Sequence, residues 1–237
     1  RSVSCASELI VGLPGETVES FKSGIGQLID QDIKVISNPL TVFPNSEMSK
    51  PEYIKQWKID VESFPSDWSI KYGVEEYEDL VVSTSSFSRS DWEHMLLWNW
   101  STVFLETYYW TDIINKEQSL STVTWYNWCL DWFTPNANPL QNQLVYWKNH
   151  LTTKRSYELW GGGVGTTDID LNTALINDTN WNHTLRKCAN EYCDYHNIKR
   201  LSDSVFVKQQ NNHVTMPGYK SLAHQLVANR WNFLSRK

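Results

Sequence analysis

Glu8-Leu-Ile-Val-Gly-Leu-Pro-Gly-Glu16, with Thr17 directly after it, joins a strand, a glycine turn and a helix in one short run. Residues 7–12 (Ser-Glu-Leu-Ile-Val-Gly) are an apolar run stopped by glycine, the signature of a buried strand of the kind found in parallel sheets. After Thr17 the apolar residues Val18, Phe21, Ile25, Leu28 and Ile29 recur at helical spacing, so one face of a helix over 17–31 should pack back onto the sheet. A second strand is expected over 35–43, interrupted by Pro39 and ended by Pro44-Asn45-Ser46. Strand, helix and strand in that order make a βαβ unit with a right-handed crossover. Such a unit has two open edges and buries too little to stand alone, so the chain is expected to be the C-terminal part of a longer protein.

Beyond Pro51 the pattern changes. A short helix is expected over 51–57, followed by a polar stretch containing Pro65 and a strand near 80–83. Ser90-x-x-Glu93 has the form of a capping box and should open a long aromatic helix running to about Lys116. Further helical patterns cover 120–133, 139–151, 179–196 and 218–235, with Thr134-Pro135-Asn136 ending the first of them. Gly161-Gly-Gly-Val-Gly165 reads as a flexible connector, because it lacks the GK[ST] ending of a phosphate-binding loop. The expected organisation is α/β turning to mainly α: a βαβ unit over 1–50, a connecting segment over 51–84 and a helical region over 85–237.

Composition narrows the function. A formal charge of -6, from 21 basic and 27 acidic residues, provides no basic field for duplex nucleic acid. No segment approaches the roughly 20 apolar residues that span a bilayer, and the first residues lack the order of a signal peptide. A soluble cytoplasmic protein is expected, with neither nucleic acid nor membrane as partner. Cys5, Cys129, Cys188 and Cys193 are too sparse for a disulfide scaffold and should be reduced thiols. The glycosylation triplets at Asn99, Asn177 and Asn182 would matter only in a secreted protein. Of 13 tryptophans, nine lie between Trp92 and Trp160, which favours an aromatic helical core or a ligand cavity.

In Gly12-Leu-Pro-Gly-Glu16 the glycines permit a sharp turn and close backbone approach at a strand's C-terminal edge, where α/β folds bind ligands. The run from Glu8 to Phe21 closely resembles a segment of radical S-adenosylmethionine (radical SAM) enzymes, in which an acidic strand and Gly-Leu/Phe-Pro-Gly-Glu/Gln-Thr precede a helix. Leu40-Thr-Val-Phe-Pro-Asn-Ser-Glu-Met48 resembles the next strand and its Pro-Gly-Thr-like end. Val81-Val-Ser-Thr84, then Ser88-Arg-Ser-Asp-Trp92 and a long aromatic helix, resembles the extension of the cobalamin-binding members. The resemblance implies the last part of a partial TIM-like (β/α) barrel followed by an aromatic-rich helical extension. It also implies an iron–sulfur cluster that reduces S-adenosylmethionine to give a 5′-deoxyadenosyl radical, used for radical-based methyl transfer or related chemistry.

Carried over position by position, Glu8 matches the acidic residue that binds ribose hydroxyls in some members, and a carboxylate can accept two such bonds. Gly12 matches the turn glycine beneath the adenosyl group. Leu40, Thr41 and Val42 match the strand end whose backbone amides and carbonyls lie near adenine. No CxxxCxxC occurs among the four cysteines, and thiolate ligands are essential to such clusters. The 4Fe-4S cluster and any cobalamin are therefore expected on upstream polypeptide, which becomes this chain's partner, with a substrate of unknown identity. Asn45 replaces the family's usual glycine and tolerates positive φ.

Other constellations are weaker. Cys188-x4-Cys193-x2-His196 cannot converge its three side chains from one helix, so buried thiols with a surface histidine are expected, and no metal site. No GxSxG elbow supports hydrolase chemistry. A rival reading is a noncatalytic aromatic-rich module that binds carbohydrate or a protein partner, which exposed, coplanar tryptophans would favour.

Overall fold

The computed structural model describes residues 6–31, 33–65, 76–107, 121–133 and 179–202. The expected helices over 139–151 and 218–235, the 161–165 connector and the end of the long aromatic helix lie outside them. The chain divides into two units, Arg1–Gly165 and Thr166–Lys237.

The first unit opens with β1 (Ala6–Val11), α1 (Val18–Asp30) and β2 (Lys34–Pro39), and β1 pairs with β2 in parallel. Along β1 exposure alternates: Ala6, Glu8 and Ile10 are exposed, while Val11 is fully buried. Successive strand residues point to opposite faces, so one face of the pair is covered and the other open. Helix α1 begins with a reciprocal capping box. The Thr17 hydroxyl accepts the Ser20 N–H at 3.1 Å, and the Ser20 hydroxyl accepts the Thr17 N–H at 2.8 Å. Phe21, Ile25 and Ile29, four residues apart, form its buried stripe.

The second strand is shorter than its sequence suggests, because its partner β1 ends at Val11, where the chain enters the Gly12 turn. Leu40 then acts as a hand-over point. Its N–H donates to the Val11 carbonyl at 2.9 Å, while its carbonyl accepts the Val81 N–H at 2.9 Å. The Val42 N–H donates to the Asp79 carbonyl at 2.8 Å, and Thr41 pairs with Leu80 in antiparallel sense. The strand end is thus joined to β4 (Tyr77–Ser83), which pairs antiparallel with β3 (Asp60–Pro65). The expected polar stretch around Pro65 is therefore a strand in its first half. Its Phe64 is fully buried, 6.3 Å from the Trp92 ring, and β4 contributes the buried run Leu80, Val81 and Val82.

Between these strands α2 (Pro51–Trp57) starts on a proline at its first turn and ends at Lys58 in the left-handed region, φ 51°. Helix α3 (Arg89–Thr107) starts earlier than the expected Ser90 cap. Ser88 and Asp91 form the box instead: the Ser88 N–H donates to Asp91 Oδ2 at 2.8 Å and the Asp91 N–H to Ser88 Oγ at 3.2 Å. Glu93 is committed elsewhere, to the Arg89 guanidinium at 3.1 Å.

Helix α4 (Thr122–Phe133) is capped by Ser121 and receives the Asp30 carboxylate at Thr122. Helices α1, α3 and α4 share one aromatic core: Phe21 meets Trp98 edge-on at 6.3 Å, and Trp98 meets Tyr126 at 5.9 Å. Gly26 lets α1 approach α4, since a Cβ there would lie 2.4 Å from Val123 Cγ2. Asn99 of α3 is buried and accepts the Ser37 hydroxyl, so this fold withholds it from glycosylation.

In the second unit α5 (Thr179–Tyr195) buries Cys188, Ala189, Tyr192 and Cys193. Both cysteines and Cys129 of α4 are free thiols. His196 is half-buried, its ring tilted by 56° against that of Tyr192 at 4.4 Å. Among the described residues no helix is long and apolar enough to cross a membrane.

Candidate functional site

The open face of the parallel pair carries the candidate residues. Register places Glu8 beside Ile36 and Ile10 beside Asn38. Asn38 Nδ2 donates to Glu8 Oε1 at 2.8 Å, fixing the carboxylate across the strands. The second carboxylate oxygen accepts nothing from the described residues and remains open to a ligand donor. Ile10, 43% exposed, continues this face towards the strand end. The opposite face lies against α1 and α3.

At the strand end the chain turns at Leu13-Pro14-Gly15-Glu16. The Glu16 N–H donates to the Leu13 carbonyl at 3.0 Å, with proline second and Gly15 third at φ 93°, the pattern of a type II turn. Gly12 is buried at φ 97°, where an L side chain would be strained. A Cβ on Gly12 would meet Phe87 at 3.4 Å, the Val81 carbonyl at 3.5 Å and Trp92 at 3.6 Å. Its N–H donates to Glu16 Oε2 at 2.8 Å. Gly12 therefore makes a turn that packs against β4 and the start of α3.

Burial pushes the Glu16 carboxyl above its ordinary value, against the opposing pull of the Gly12 and Leu13 N–H groups.

Leu40 is buried, with both of its backbone polar groups engaged, and the Val42 N–H is engaged as well. Thr41 differs: among the described residues its N–H and carbonyl have no hydrogen-bond partner. Phe43, just beyond, is 67% exposed, and Asn45 adopts φ 65°. Gly12 and the 40–42 segment thus share one end of one strand pair, while Glu8 lies mid-strand on its open face, about 10 Å below that rim at a strand's rise per residue.

Asn38, Ile10 and Phe43 have no motif to announce them. Counting back in steps of two from the strand end, once the register with Glu8 is known, would have found Asn38.

Away from this rim, a groove of about 430 Å³ lies between α1 and α4, lined by Glu19, Lys22, Asp30, Val123 and Asn127 among others. Its polar groups tie the helices together: Lys22 donates to Asn127 Oδ1 at 3.0 Å, and Asp30 accepts from Thr122 at 2.5 Å. Among the described residues no three His, Cys, Asp or Glu side chains converge as metal ligands, so these residues do not fit an iron–sulfur cluster. Trp92, Trp98 and Trp125 are fully buried, which does not favour an aromatic binding platform.

No protein-family model matches the chain. It is 28% identical over 147 residues to the cobalamin-dependent radical SAM methyltransferase TokK of Streptomyces tokunonensis, covering 56% of this chain and 21% of that protein. It is 31% identical over 105 residues to a 2-(S-pantetheinyl)-carbapenam-3-carboxylate methyltransferase of Streptantibioticus cattleyicolor, covering 39% and 14%. The chain spans about a fifth or less of the length of these curated relatives. It is similar to methyltransferases, one of them named as a cobalamin-dependent radical SAM enzyme.

Proposed function

We propose that this chain supplies the adenosyl-binding edge of a radical SAM methyltransferase, as part of a longer polypeptide. In this reading β1 and β2 close a partial TIM-like barrel, their open face looks into its lumen, and the helices beyond 85 form an extension on the substrate side. S-adenosylmethionine, a 4Fe-4S cluster and cobalamin would together supply a radical and a methyl group when bound. The cluster and cobalamin are assigned to residues other than these.

This chain's own residues bind and orient. Glu8 would accept the ribose hydroxyls with its open oxygen while Asn38 holds the other. The Thr41 N–H and carbonyl would meet the adenine edge, and Leu40 and Val42 would fix that backbone through their bonds to Val11, Val81 and Asp79. Gly12 would shape the turn beneath the nucleoside. The substrate and the outcome of the reaction belong to the whole enzyme, and the relatives point to radical-based methyl transfer.

The observation that carries the proposal is the Glu8–Asn38 pair, exposed on the uncovered face of a parallel strand pair that ends in a glycine turn. Glu8→Ala in the full-length protein is expected to weaken S-adenosylmethionine binding about tenfold to a hundredfold, since a hydrogen bond to a charged group contributes about 1.5–3 kcal/mol. Iron and sulfide content should stay unchanged. Equilibrium binding with unaltered affinity in the variant would remove Glu8 from the site.

A further inference from the structure

Two glycines at positive φ give the 12–16 turn its shape but no side chain with which to hold its place, and glycine loses more freedom on ordering than any other residue. Its position must be imposed by neighbours. One anchor is internal, from the Glu16 carboxylate to the Gly12 N–H. The other comes from 71 residues away: the Gly15 N–H donates to Ser86 Oγ at 3.0 Å. With its oxygen accepting from Gly15, Ser86 can direct its own hydroxyl proton to Thr84 Oγ1, 2.9 Å away. Thr84 Oγ1 also accepts the Ser86 N–H at 3.1 Å.

The 84–87 segment is itself fixed on two sides. The Thr84 N–H donates to the Phe87 carbonyl at 3.0 Å, and the Ser85 N–H to the Trp57 carbonyl of α2 at 2.7 Å. Phe87, almost fully buried, and Trp92, fully buried, close over Gly12. Arg89 fastens the start of α3 to Glu62 of β3 while its guanidinium lies 4.8 Å over the Trp92 ring. The loop between β4 and α3 is therefore braced on several sides, and the glycine turn is tied to it.

We propose that Ser86 is a positioning residue for the 12–16 turn, so that the entrance to the helical extension sets the geometry of the nucleoside rim. This inference rests on the reading of the rim given above. The test uses the full-length protein with Ser86→Ala and Ser86→Thr. Three quantities are read: amide hydrogen exchange of the segment covering residues 12–16, equilibrium affinity for S-adenosylmethionine, and the melting temperature.

Ser86→Ala is expected to speed exchange in that segment and to weaken affinity about threefold to tenfold, the range of one neutral hydrogen bond, at a nearly unchanged melting temperature. Ser86→Thr, which keeps the hydroxyl, should restore both. Unchanged exchange in Ser86→Ala, or failure of threonine to restore it, overturns the role of Ser86. Affinity that falls in Glu8→Ala but not in Ser86→Ala overturns the link from Ser86 to the rim and leaves the rim assignment standing. A wild-type protein that fails to bind S-adenosylmethionine overturns the rim assignment and that link together, while exchange still judges the tether.

Discussion

Glu16 sits where burial and hydrogen bonding pull a carboxyl in opposite directions. Burial is the larger effect and raises it above the ordinary 4.5, while the Gly12 and Leu13 N–H groups draw it back. A raised value means that the folded protein binds the proton more tightly than the unfolded chain does. Stability from this source is therefore complete below 4.5 and is lost as pH rises through the folded value. Glu16→Gln cannot titrate there. The stability of the wild type relative to the glutamine variant should fall as pH climbs from 4.5, then level off, in denaturant titrations of both proteins across that range. A difference that stays constant with pH would show that Glu16 is not held in this half-buried clasp. The same residue illustrates what sequence can and cannot reveal: Gly-Leu-Pro-Gly-Glu announces the turn, but the partner of Glu16 is set by two backbone angles that only the folded turn displays.

Among the elements, legibility follows how local the cause is. Helix α1 was readable because its signals are contiguous: a threonine cap followed by apolar residues four apart. Its cap is correspondingly easy to test. Thr17→Ala removes the hydroxyl that accepts the Ser20 N–H and should cost about 1 kcal/mol, read as a lower urea midpoint at unchanged slope. A cost near zero would mean that tertiary packing alone holds the helix start. Strand β3 is not legible from sequence, because Asp60-Val-Glu-Ser-Phe-Pro65 breaks strand alternation with adjacent Glu62 and Ser63 and becomes a strand only by pairing with β4. The cap of α3 falls two residues before the Ser90 that the sequence suggests, for a similar reason. Ser90-x-x-Glu93 and Ser88-x-x-Asp91 both fit a capping box, and the choice falls to the second because Arg89 takes Glu93. The hand-over at Leu40 depends on β4, some forty positions further on, and no local pattern around Pro39 could have announced it.

At the scale of the first unit, the covered and open faces of one strand pair divide the labour. Helices α1 and α3 cover one face, and α4 packs on both of them through Trp98 and Tyr126, which leaves Glu8, Ile10 and Asn38 on the other face. The open face can keep its polar geometry only if the helical layer holds the strands in register. Trp98 is the centre of that layer: fully buried, edge-on to two rings, with Lys22 5.7 Å from its ring centre and its indole N–H donating to Asn127 Oδ1 at 3.1 Å. Trp98→Ala should therefore cost about 3–5 kcal/mol, a large share of a domain's usual 5–15. Trp98→Phe keeps a ring against Phe21 and Tyr126 and loses the bond to Asn127, whose oxygen still accepts from Lys22, so it should cost markedly less. Guanidinium unfolding of the two variants separates the contributions. A loss below about 1 kcal/mol for alanine would show that the helices do not share a core, and the rim would then need some other support.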